Sequence, residues 1–151
     1  MDTRTNSPAA DATERLQMYI GGQWVAGTSG QTLDSLNPYT QKVWATVPDA
    51  SEADVKAAVA AAREAFDNGP WRQTTPQQRA ALMRKLGDLI ARDAERMARI
   101  ESMDNGKLLR EMLGQWKYLP EWMYYFAGQA TQSQGEVLPS DRPNFIAFTR
   151  K

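Results

Sequence analysis

The sequence predicts an α/β fold that is incomplete: an N-terminal layer of β-hairpins, a set of helices, and a last strand left unpaired. Three observations lead there. Short runs of strand-like alternation fill Met18 to Val47, and the apolar period lengthens to about 3.6 after Pro48. Asn144 to Lys151 then return to near-alternation with no turn or cap behind them. A terminal strand exposes its ladder groups, so this ending predicts that more sequence or another chain completes the sheet.

The elements follow in order. Met18-Tyr19-Ile20 and Gln23-Trp24-Val25-Ala26 flank Gly21-Gly22, a pair free to take positive φ and suited to a tight hairpin. Gly27 to Gly30 loop into a run from Gln31 to Leu36, Asn37-Pro38 turn the chain, and Lys42 to Val47 places Val43, Ala45 and Val47 on one face. Ser51 with Asp54 three residues on forms a capping-box start for a helix over 51–67, with Val55, Val59, Ala62 and Phe66 along its apolar stripe. Asn68-Gly69-Pro70 ends it. Thr75 as N-cap, Pro76 at the first position and Gln78 then open a second helix, whose buried face is Leu82, Leu86, Leu89 and Ile90. Asp93 is expected to cap a third helix carrying Met97, Ile100 and Met103, ended by Asn105-Gly106. Pro120 costs about 3 kcal/mol inside a helix, so the helical stretch 107–134 is expected to split near Tyr118-Leu119. Its second piece carries Trp122, Tyr125, Phe126 and Ala130, read as core.

Composition limits the chemistry. In 151 residues, 42% are hydrophobic and 24% charged, enough for one ordinary globular domain. Lys+Arg and Asp+Glu number 18 each, so charge nominates neither nucleic acid nor an anionic membrane as partner. There is no apolar run of about 18 residues and no signal-like start, which makes a cytoplasmic protein with a loose N-terminal tail the expectation. Cys 0 and His 0 remove the usual thiolate nucleophile, the usual base near neutral pH, disulfides and the N/S ligands of zinc. The glycines lack the strand, G-x-G-x-x-G and helix order of a nucleotide loop, and no G-x-x-x-x-G-K-[ST] occurs.

Asp104-Asn105-Gly106-Lys107 is the most loaded local cluster. Gly106 ends the helix in the plain reading, and Lys107 lies near the negative end of the helix dipole. Asp104 has the wrong sign for that place and is expected to be held by a cation or by hydrogen-bond donors.

The order of these pieces resembles the N-terminal part of an NAD(P)-dependent aldehyde dehydrogenase. The resemblance rests on Tyr19-Ile20-Gly21-Gly22-Gln23-Trp24; on Asn37-Pro38-Tyr39-Thr40 followed by Val43-Trp44-Ala45-Thr46-Val47-Pro48; on the helix pair with Trp71, Arg79 and Leu82; and on Glu101-Ser102-Met103-Asp104-Asn105-Gly106-Lys107. Tyr124-Tyr125-Phe126-Ala127-Gly128 and Phe148-Thr149-Arg150-Lys151 extend it. With the polar, small first residues read as a flexible tail over 1–17, the resemblance implies the N-terminal part of the cofactor-binding domain over 18–135 and the start of an oligomerisation or bridging strand over 136–151. It implies an oxidoreductase that converts aldehydes to carboxylic acids with NAD or NADP, as a homo-oligomer.

The family's catalytic Cys, general-base Glu and cofactor loops match nothing in these residues, so no catalytic and no cofactor-binding residue is assigned. One minor site carries over: a monovalent cation, potassium or sodium, held by main-chain oxygens of Ser35 and Leu36 and by the Asp104 carboxylate. Oxygen-only ligation suits a hard cation. Two functional expectations then stand side by side. One is an N-terminal fragment, inactive alone; the other is a non-catalytic assembly module whose open strand pairs with a full-length subunit. An enzyme in its own right is the third and weakest reading, since an unaided Ser is a poor substitute for the thiolate.

Overall fold

The structure, a computed structural model, describes residues 13–150. They form two compact units, one holding the chain up to Gln73 with Met97–Met112, the other Thr74–Arg96 with the residues from Leu113 onward.

The first unit opens with β1 (Glu14–Arg15), β2 (Met18–Ile20), β3 (Gln23–Val25), β4 (Thr32–Leu36) and β5 (Val43–Pro48). The glycine pair makes the expected hairpin: Gly21 and Gly22 have φ of 59° and 83°, and Tyr19 pairs with Trp24 across it. Their rings meet at 5.0 Å between centroids. Strands β1, β5 and β4 form a mixed sheet in that order, β4 antiparallel and β1 parallel to β5. The tail expected over 1–17 is therefore ordered at Glu14–Arg15, because the Leu16 amide also donates to the Thr46 carbonyl at 2.9 Å; residues 1–12 lie outside the described residues. Ala45, in the middle strand, is fully buried.

Helix α1 (Glu52–Asp67) starts where the capping signal put it. Ser51 Oγ accepts the Asp54 amide at 3.2 Å, and Asp54 Oδ2 accepts the Ser51 amide at 2.8 Å. Its stripe is different from the one expected. Val55, Val59 and Phe66 are exposed, Phe66 by 73%, whereas Asp54 is buried with Ala58 and Ala61 half-buried on its side of the helix. An apolar period locates an apolar face, and a helix start anchored by a buried carboxylate turns another face inward.

Helix α2 (Pro76–Asn105) also opens on a capping box: Thr75 Oγ1 accepts the Gln78 amide at 3.2 Å and Gln78 Oε1 accepts the Thr75 amide at 2.8 Å. The break expected at Asp93 is absent. Asp93 gives its carboxylate to Arg92, Nε to Oδ1 at 3.0 Å and Nη2 to Oδ2 at 2.8 Å, and so leaves the helix to continue. Leu82, Leu86 and Leu89 are exposed, not buried; the inward row is Ala80, Gly87, Ala94 and Ala98, with Met83 and Ile90 half-buried between them.

Helix α3 (Leu109–Gln129) runs unbroken through Pro120, which corrects the expected split. Pro120 lies on the buried row with Met112 and Ala127, so burial offsets part of the lost backbone hydrogen bond. Of the stripe read as core, Trp122, Tyr125 and Phe126 are exposed and Ala130 is half-buried; Trp122 stacks on Phe126, while Tyr118 meets Trp122, and Tyr125 meets Phe126, edge to face.

The second unit ends with β6 (Val137–Leu138) and β7 (Ala147–Phe148), an antiparallel pair with Val137 opposite Phe148. The last strand thus has a partner within the chain, contrary to the unpaired strand expected from its alternation. The Thr149 amide donates to the Glu136 carbonyl, and Thr149 Oγ1 accepts the Glu136 amide, each at 2.9 Å. Val137-Leu138, set between Gly135 and Pro139, is too short to show a period, and its pairing hides in the distance to β7.

Candidate functional site

The three residues expected to hold a cation lie in the first unit, where β4 ends and α2 ends. The β4–β5 ladder pairs Ser35 with Ala45 and then Leu36 with Val43, a register shift that leaves Trp44 as an extra residue. This bulge aims the Trp44 indole at Ser35: Nε1 donates to Ser35 Oγ at 3.0 Å. Indole nitrogen is a donor only, so the Ser35 proton is free for a second partner. That partner is Asp104, whose Oδ1 accepts the Ser35 hydroxyl at 2.6 Å. The relay from Trp44 through Ser35 to Asp104 joins residues 69 positions apart and supplies the donor that Asp104 needs at a helix C-terminus.

The turn beyond Leu36 is built to approach the same helix end. Asn37 Oδ1 accepts the amides of Tyr39 at 2.9 Å and Thr40 at 3.2 Å, and the Asn37 amide donates to the Lys42 carbonyl at 2.9 Å. Pro38 then sits against Gly106: a Cβ on Gly106 would lie 2.8 Å from Pro38 Cγ. Gly106 has φ of 77° and its amide donates to the Ser102 carbonyl at 3.0 Å, so it ends α2 as its sequence position predicts. Leu36 itself is exposed beside the bulge.

Lys107 does not face Asp104. Its Nζ pairs with Glu101 Oε1 at 3.0 Å, an oxygen that also accepts Asn105 Nδ2 at 3.3 Å. The cluster read as one unit is therefore two: Asp104 turned to Ser35 on β4, and Asn105 and Lys107 turned to Glu101. Sequence reasoning missed Trp44 as a member of the site, and the bulge that brings it there has no local signature.

The two side chains brought together are one carboxylate, Asp104, and one hydroxyl, Ser35. Among the described residues no group of three or more His, Cys, Asp or Glu is placed to hold a metal ion. A cation at Ser35, Leu36 and Asp104 would meet one carboxylate and otherwise neutral oxygens, a set suited to low charge.

The described residues hold small sheets in the first part of the chain, long helices after them and a terminal strand pair, and the comparisons name the family. The model for the aldehyde dehydrogenase family matches residues 24–151, and the chain belongs to that family. It is similar to an aldehyde dehydrogenase of Emericella nidulans, 38% identical over 148 residues, covering 98% of this chain and 29% of that protein. It is similar also to the (Z)-2-((N-methylformamido)methylene)-5-hydroxybutyrolactone dehydrogenase of Acinetobacter baylyi, 38% identical over 135 residues. Among solved structures, the NAD-dependent aldehyde dehydrogenase of Sinorhizobium meliloti matches with a TM-score of 0.80 and 37% identity, over 89% of this chain and 27% of that one. The NAD+ complex of the Bacillus cereus aldehyde dehydrogenase matches with a TM-score of 0.81 and 38% identity, over 91% and 28%. The chain thus spans between a quarter and a third of the length of these relatives. No described helix is long and apolar enough to cross a membrane.

Proposed function

We propose that this chain supplies the N-terminal part of a cytoplasmic, homo-oligomeric aldehyde dehydrogenase, which oxidises an aldehyde to a carboxylic acid with NAD or NADP, and that the 151 residues alone are inactive. The observation that carries the reading is a match running from residue 24 to 151 that covers only about 27% of relatives such as the Acinetobacter and Sinorhizobium dehydrogenases. Chemistry points the same way, because a chain without Cys has no thiolate to attack an aldehyde carbonyl and without His has no ordinary base near neutral pH. The test is absorbance at the reduced-nicotinamide band when the purified chain meets NAD+ or NADP+ and a panel of aldehydes. No aldehyde-dependent rise is expected; turnover above the cofactor-only blank overturns the proposal. The alternative is a non-catalytic assembly module that pairs with a full-length subunit; β6 takes one edge of β7 and leaves the other for such pairing, and co-purification with an intact relative tests it.

Within that reading, Ser35 and Leu36 main-chain oxygens and the Asp104 carboxylate form a monovalent-cation site that steadies the junction of β4 and α2. The Ser35 hydroxyl on Asp104 supports it by holding the carboxylate beside Ser35. Melting curves in potassium, sodium and choline chloride at equal ionic strength test it. The chain is expected to melt higher in potassium or sodium than in choline, and Asp104→Ala to remove that difference; an Asp104→Ala variant that keeps the full cation dependence sinks the site.

A further inference from the structure

We draw no further inference here: the strongest candidate, the exposed aromatic ladder of Tyr118, Trp122 and Phe126 along α3, carries nothing because nothing in the structure shows what covers it.

Discussion

Asp54 is the residue on which most local order converges. It closes the capping box of α1 through Ser51, and both its oxygens accept the Thr28 amide, at 3.1 and 3.2 Å, so one carboxylate pins the 27–30 loop to the helix start. The Thr28 hydroxyl adds a bond at 3.1 Å. The Ser51 amide foremost, with the Ser51 hydroxyl and the Thr28 donors, holds the Asp54 carboxyl below its usual 3.8, while burial pushes the other way. A carboxyl whose folded value is depressed stabilises the fold above its unfolded value, and that contribution fades as pH falls through the folded one. Asp54→Asn is accordingly expected to melt below the parent at pH 7, and the gap to narrow below about pH 4. Melts from pH 7 to pH 2.5 check this; a gap constant across that range would show that the charge plays no part. Half of this was legible in the sequence. Ser51 and Asp54 stand three apart, so their box is local, whereas Thr28 lies 26 residues away and no spacing announces it.

Among the elements, the helices show where local signals stop being decisive. Both capping boxes were readable, but Asp93 and Pro120 read as breaks and neither breaks its helix. A cap residue works only if the chain before it is free to leave the helix, and here Ala94 and Ala98 near Asp93, and Met112 and Ala127 on the row of Pro120, are buried, which favours a helix that continues. Close packing also explains Gly87 in the second unit. A Cβ there would lie 2.6 Å from Tyr124 Cε1, and the Tyr124 hydroxyl is tied to Asp88 Oδ1 at 2.8 Å, so the ring cannot swing away without losing that bond. Alanine gains about 1 kcal/mol of helix propensity over glycine, and overpacking costs roughly 1–3 kcal/mol. Gly87→Ala is expected to lower stability on balance. In a Tyr124→Ala background the same change should become stabilising by up to about 1 kcal/mol, since only propensity remains. Denaturant unfolding of the parent and the three variants measures the coupling, and equal effects of Gly87→Ala in both backgrounds would refute the clash.

For the whole molecule the telling feature is how little large apolar side chain is buried. Among the described residues the buried apolar ones are five alanines and Met112, while Val59, Phe66, Leu82, Leu86, Tyr118, Trp122 and Phe126 lie exposed. Monomeric proteins rarely present contiguous apolar patches beyond a few hundred Å². The isolated chain is expected to bind an environment-sensitive apolar dye and to self-associate at micromolar concentration. Sedimentation velocity checks the second point: a single monomeric boundary with no dye enhancement would show that these faces are covered in some other way. The stripes were visible in the sequence as apolar periodicity and were read as core. Periodicity reports that a face avoids water, and it is silent on whether the covering surface lies in the same 151 residues.

By itself the sequence determined the hairpin turn at Gly21-Gly22, the two capping boxes, the end of α2 at Gly106 and the family, because each rests on residues close together or on motifs kept in order. Only the tertiary structure decided that Ser35 reaches Asp104 with Trp44 behind it, that β6 takes up β7, and which helix faces turn inward. The side-chain and strand contacts among these join groups 9 to 69 positions apart, where loop closure must be met before a contact forms, and no local pattern encodes the outcome.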